Sequence, residues 1–245
     1  HPDDLEILCG GTLAKLSRQG YRTAIIDLTT GEPTPRGSEE SRTREAEEAR
    51  RLLGVPLRIN LGLPNRTLMD TPENRFALAT ALRRLRPTIV IGAHGRTPAA
   101  SPDHYQGQLL VEAARFYSQL TKWDERFDGT PPWRVAHLVY ALFPLHAEVT
   151  HHPSTFVMDI SDTFDAKMQS IQAYRSQFDD SRFARVRHMV SGFNASTGAR
   201  CGFLYGELFA LPGPVGASDL VALVTGAKAA SAAPVALPGQ PPPNW

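Results

Sequence analysis

HPDDLEILCGGTLAKLSRQGYRTAIIDLTTGE, residues 1–32, changes periodicity once along its length, and that change sets the fold class. Leu5, Leu8, Cys9, Leu13 and Leu16 recur at helical spacing, and Gly20 stops the segment. Arg22 to Leu28 follows as a compact run holding Ile25 and Ile26, which predicts a buried strand. An α/β fold ordinarily supplies a strand before such a helix, yet the chain opens on His1-Pro2-Asp3-Asp4 directly ahead of it. A first strand is therefore expected to be missing from this sequence.

Working outward, the alternation repeats. Ala46, Ala49, Leu52 and Leu53 mark a helix that begins near Ser38, with glutamates at its positive end, and finishes at Gly54. Leu57 to Leu61 is a candidate strand. Thr71-Pro72 reads as an N-cap followed by proline at the first helical position, and Phe76, Ala79 and Leu82 carry the apolar face up to Pro87. The strand Thr88 to Ile91 comes next. Leu110, Ala113, Tyr117 and Leu120 make another helix, and Phe164, Met168, Ile171 and Phe178 a later one capped by Ser161. This pattern predicts a Rossmann-like, doubly wound, mostly parallel sheet with helices on both faces.

The 245 residues suffice for one sizeable α/β domain, expected over 1–220, followed by an Ala/Pro-rich and flexible tail over 221–245. A formal net charge of +1 and the lack of any long basic run argue against nucleic acid as a partner. The apolar stretches are strand-sized, so no membrane span is expected, and nothing at the start reads as a signal peptide, which favours the cytoplasm. Cys9 and Cys201 stand far apart and outside CxxC spacing; buried apolar thiols are the default for both.

The chemistry gathers in loops that follow the strands, where open α/β sheets hold their ligands. Imidazole and carboxylate together in His1-Pro2-Asp3-Asp4 suit a borderline metal such as zinc, and the second carboxylate offers a base that need not bind it. Ser101-Pro102-Asp103-His104 is a second loop of this kind. If the two lie side by side, His1, Asp4 and His104 make a three-ligand site with a fourth position for water. The plain alternative is that Asp3 and Asp4 only favour a helix N-terminus, as Asp103 does later.

HPDDLEILCGGTLAKL, TGEPTPRGSEESRTREAEEARRLLGV, LGLPNR, SPDHYQG and FVMDISDTFDAKMQSIQAYRSQF, taken together and in order, resemble the PIG-L, or LmbE-like, deacetylase superfamily. LGLPNR and DISDTF…YRSQF resemble its bacillithiol branch, which deacetylates N-acetylglucosaminyl malate. The resemblance runs from His1 to about Leu220 and implies a Rossmann-like fold. It implies Zn2+, or another divalent ion, on His1, Asp4 and His104, with Asp3 as general base and Asp103 orienting its neighbours. The activity implied is hydrolysis of the acetamide of an N-acetylglucosaminide. In the family motif the SPDH block usually begins with histidine, where this chain has Ser101, so the proton donor must be sought elsewhere. His94 and the dense group His146, His151 and His152 are the candidates.

Arginines are the expected anchors for an acidic small-molecule substrate, because a guanidinium fork matches paired oxygens. Arg42 matches the family arginine that contacts substrate; Arg36, Glu32, Arg66 and Ser101 complete the candidate contacts. Alternatively, Arg42 and Arg44 pair with Glu39, Glu45 or Glu48 on a solvated helix face. No G-x-S-x-G elbow and no G-x-G-x-x-G loop is present, which removes serine-hydrolase and dinucleotide-binding readings. Deacetylation of a different glycoside and a non-catalytic sugar-binding module of the same fold remain as alternatives, and a homo-oligomer is left open.

Overall fold

Residues 1–94, 100–142, 154–218 and 220–225 are described by a computed structural model of the chain. Helix α1, Asp4–Arg18, precedes strand β1, Ala24–Thr29, as the opening stretch requires. Helix α2, Glu39–Leu52, starts on Ser38, whose hydroxyl accepts the Ser41 amide while Ser41 Oγ accepts the Ser38 amide. Strand β2 is Leu57–Leu63. Helix α3, Pro72–Leu85, takes Thr71 as its N-cap, with the Asn74 amide on the hydroxyl and Pro72 where no amide is needed. Strand β3, Ile89–His94, leads toward helix α4, Asp103–Tyr117.

The strands β1 and β2 pair in parallel, and so do β3 and β4, His137–Leu142. Beyond that point the sheet departs from expectation. Strand β6, Gly206–Ala210, lies between β4 and β5, Thr155–Asp159, and runs antiparallel to both. The mostly parallel sheet read from the sequence is thus mixed: two of the four pairings among the described residues are antiparallel. β6 is a short run buried on both faces, which gives neither alternation nor length to reveal its direction. The described strands form two sheets, β1-β2 and β3-β4-β6-β5, and no described strand joins β1 to β3.

Helices do cover both faces. Ile25 of β1 and Ala141 of β4 pack into a cluster with Cys9, Leu13 and Ala14 of α1, whereas Ile26, Leu28 and Val90 turn to the cluster of α3 and α4 around Phe76, Leu82, Leu110 and Ala114. Helix α5, Phe164–Gln172, and the long helix α6, Asp180–Ala199, complete the first unit, His1–Pro212. The second unit, Gly213–Trp245, contributes only a short helix, Leu220–Thr225, to the described residues, and most of the expected tail lies outside them. No helix among the described residues is long and apolar enough to cross a membrane.

Ser161 does not cap α5. Its hydroxyl donates to Asp159 and accepts the amides of Leu204 and Tyr205, and Thr163 occupies the capping position instead. The DISDTF block is scaffold: Ile160 packs against Gly11, where an added Cβ would sit 2.8 Å from Ile160 Cδ1, and the Thr163 hydroxyl donates to the Gly11 carbonyl at 2.8 Å.

Gly11 lies in a break of α1. Cys9 leaves helical geometry at φ −143° and ψ 21°, which frees backbone groups on either side. The Glu207 carboxylate accepts the Gly11 and Thr12 amides at 3.0 and 2.8 Å, and the Lys167 ammonium donates to the Ile7 carbonyl at 2.8 Å and to Glu207 at 2.5 Å. Both side chains are fully buried. One internal ion pair therefore satisfies the broken turn and fixes the angle at which His1–Asp4 meets the body of the helix.

Candidate metal centre

His1, Asp4 and His104 come together. One ligand-type atom of each lies within 4.8 Å of the others, across 100 residues of chain. The start of α1 supplies the first two and the first turn of α4 the third. Asp4 Oδ2 stands 2.8 Å from His1 Nδ1 and 3.3 Å from His104 Nε2, and the two rings meet edge to face at 5.3 Å. Two imidazoles and a carboxylate, all three half-buried, fit a divalent ion of borderline softness. Burial alone would lower the His104 pKa, but the hydrogen bond and charge of Asp4 raise it above the ordinary imidazole value. At Asp4, burial works against the charge, while the hydrogen bond and charge of His104 favour it.

Asp103 faces the other side of the His1 ring. Its Oδ2 is 3.4 Å from His1 Nε2 and accepts the Arg66 amide at 2.6 Å. A carboxylate that takes the Nε2 proton leaves Nδ1 as the free lone pair toward Asp4, the usual support of a metal-binding histidine. The Asp103 amide is in turn tied to Ser101 Oγ at 3.2 Å, so the Ser101 hydroxyl is engaged in starting α4.

Asp3 stands beside the three-ligand group without belonging to it. Its backbone is strained, with φ at 102°, and its side chain makes no capping bond to α1; the carboxylate turns to Arg42, which donates from Nη1 at 2.9 Å. Burial and the charge of Asp4 push the Asp3 carboxyl up to about 7, against the pull of Arg42. Arg42 Nη2 also donates to the Pro2 carbonyl at 2.6 Å, and the guanidinium is seated over Gly31, where any Cβ would come within 2.6 Å of Nη2. Arg42 is only 3% exposed, on neither a solvated helix face nor an open substrate surface.

The remaining expected contacts divide. Glu32 accepts the Thr34 amide and hydroxyl at 2.6 and 2.8 Å, and Arg36 pairs with Asp179 at 2.5 Å on the surface; both serve the loop between β1 and α2. Ser176, of the YRSQF block, donates its amide and hydroxyl to Glu45 of α2. Arg66 is exposed beside Asp103. His94 ends β3 with its ring 4.7 Å from that of Tyr140. His146, His151 and His152 lie outside the described residues.

Sequence reading missed a layer behind Asp3 and Asp4. Arg58 of β2 forks onto both oxygens of Asp27 at 2.6 and 2.7 Å and reaches Glu6 at 2.6 Å, and the Tyr174 hydroxyl donates to the same Glu6 oxygen at 3.0 Å. Burial raises the Glu6 pKa, with Arg58 opposing it. The signal available was two carboxylates, Glu6 and Asp27, at positions whose neighbours are core.

Residues 1–115 match the family model described as PIG-L, GlcNAc-PI de-N-acetylase. A diacetylchitobiose deacetylase of Thermococcus kodakarensis is 30% identical over 194 residues, 74% of this chain and 68% of the relative. A 1D-myo-inositol 2-acetamido-2-deoxy-alpha-D-glucopyranoside deacetylase of Mycobacterium leprae is 28% identical over 60% of this chain and 59% of its own length. Among solved structures, the conserved protein TT1542 of Thermus thermophilus is 36% identical, covers 90% of this chain and 94% of its own, and superposes with a TM-score of 0.78. With these relatives and this arrangement of His1, Asp3, Asp4 and His104, the chain belongs to the PIG-L family of deacetylases, hydrolases of C–N bonds.

Proposed function

We propose that the protein is a zinc-dependent deacetylase that hydrolyses the acetamide of an N-acetylglucosaminide, with N-acetylglucosaminyl malate as its substrate. The observation that carries the reading is the cluster of His1, Asp4 and His104, with Asp3, a half-buried carboxylate held by Arg42, next to it in the chain and outside the ligand set. Both named relatives are deacetylases of acetamido sugars, which supports the substrate class.

His1, Asp4 and His104 would hold a divalent ion, which when bound would supply Lewis acidity toward the amide carbonyl and toward water. Asp3, ionised, takes a proton from the attacking water, and Arg42 keeps its carboxylate aimed and charged until then. Asp103 holds the His1 ring in one tautomer. The water oxygen bonds to the acyl carbon, the C–N bond breaks, and the nitrogen must gain a proton as it leaves. Asp3 returns the one it took; His94 and the histidines at 146, 151 and 152 are the other proposed donors. Acetate and the free amino sugar are the products, and Arg66 with the loop bearing Glu32 and Arg36 borders the approach.

Elemental analysis of the purified protein, with acetate release measured before and after exhaustive chelation, tests the reading. One divalent ion per chain and activity restored by zinc are expected. Full activity in metal-free protein ends it.

A further inference from the structure

Five residues other than glycine adopt positive φ among the described residues, and the surroundings of two of them are structural in an obvious way. Arg86 and Asp128 terminate helical segments in the left-handed conformation, and the fifth, Lys122, is exposed in the loop after α4. Asp3 and Arg66 are different: both lie at the cluster of His1, Asp4 and His104. A side chain at φ 67° is less favourable than glycine there, so its identity calls for a reason outside the turn itself.

No hydrogen bond or ion pair of its side chain among the described residues supplies that reason. The Arg66 amide is fixed on Asp103 Oδ2 at 2.6 Å, and the same oxygen faces His1 Nε2 at 3.4 Å, so the backbone of Arg66 is one carboxylate away from a candidate ligand. The side chain is exposed, and its guanidinium has no hydrogen bond or ion pair among the described residues. Other candidate arginines are engaged: Arg42 by Asp3, Arg58 by Asp27 and Glu6, Arg75 by Asp70, Arg36 by Asp179. Asp3, Asp4 and Asp103 make the surroundings of the cluster rich in carboxylates, which favours a nearby cation for any substrate that brings a negative charge of its own.

We propose that Arg66 is the specificity residue of this site, its guanidinium fork taking a pair of anionic oxygens, carboxylate or phosphate, on the group attached to the acetamido sugar. This rests on the deacetylase reading above and deepens it, assigning substrate charge to Arg66 rather than to Arg42. The left-handed backbone makes the test clean, since Arg66→Gly removes the side chain and keeps the amide that binds Asp103.

Steady-state kcat/KM is compared for the malate glycoside, its neutral dimethyl ester, and N-acetylglucosamine 1-phosphate, using metal-loaded wild type, Arg66→Gly and Arg66→Lys. Wild type is expected to prefer the diacid over its diester by at least about tenfold, the scale of one charge-assisted contact. Arg66→Gly should bring the diacid down to the rate constant of the diester, and Arg66→Lys should restore part of the difference. A preference for the 1-phosphate that Arg66→Gly removes, without one for the diacid, assigns the fork to phosphate. A preference that survives Arg66→Gly overturns the proposal. Calorimetric binding of the diacid to wild type and Arg66→Gly is read alongside: if no glycoside is turned over, the deacetylase reading fails, while equal affinities overturn the Arg66 assignment independently.

Discussion

Arg42 and Asp3 form a part-buried pair, Nη1 to Oδ2 at 2.9 Å, that links α2 to the loop opening α1. Arg42 is the main influence opposing burial and Asp4 at the Asp3 carboxyl, so its removal must raise the pKa of Asp3 further. A general base acts when ionised, and the acid limb of kcat/KM follows that pKa. Relative to wild type, Arg42→Met should move the acid limb upward by about one unit or more. Gly31→Ala should do the same more weakly, because its Cβ would displace the guanidinium. An unmoved limb in both variants would show that Arg42 does not control Asp3.

Asp3 itself is expected to matter for turnover and not for metal retention. Asp3→Asn preserves shape while removing the proton acceptor, and kcat should fall by about 10²-fold or more. The metal content measured on the same sample should stay at one per chain. Loss of the ion in Asp3→Asn would mean that Asp3 and Asp4 have exchanged roles.

Much of the scaffold was legible because its signals are local. Ser38 and Thr71-Pro72 announce α2 and α3 through bonds spanning three residues, and β1, β2 and β3 stand as apolar runs between them. The three ligand-type residues were legible through the HPDD and SPDH blocks. What escaped was long-range. The antiparallel seat of β6 between β4 and β5 depends on partners roughly 50 to 70 residues away, which no window along the chain contains. Arg42 reaches Asp3 across 39 residues, and its own surroundings, flanked by Glu39, Glu45 and Glu48, suggest a solvated face instead. DISDTF and YRSQF hold α1 and the Glu45 region together, so their presence informs the scaffold more directly than the substrate.

Asp103 should tune metal affinity without supplying a ligand. Asp103→Asn keeps an oxygen near the Arg66 amide but loses the charge that holds the Nε2 proton of His1. Such supporting carboxylates are worth about 10- to 100-fold in affinity, and that range is expected in a competitive chelator titration. His104→Ala, by contrast, removes one of three donors and should leave no tightly bound ion. Equal affinities for Asp103→Asn and wild type would reject the supporting role.

The last prediction concerns the ion pair of Lys167 and Glu207 beneath the break in α1. Lys167→Met leaves the Glu207 charge buried, with the Gly11 and Thr12 amides as its remaining partners, and frees the Ile7 carbonyl that the ammonium satisfied. Breaking one side of a buried pair is destabilising by about 3 to 5 kcal/mol, which for a chain of this size lowers Tm by roughly 10 °C. Adding Glu207→Gln removes the stranded charge while keeping an oxygen for one of the two amides. The double variant should therefore be more stable than Lys167→Met alone, although the second substitution deletes a further native group. Thermal unfolding of the two variants in parallel decides between charge and packing. If the double variant is the less stable, Lys167 acts by filling space rather than by neutralising Glu207. If instead both retain the wild-type Tm, the broken turn of α1 is not held by this pair at all.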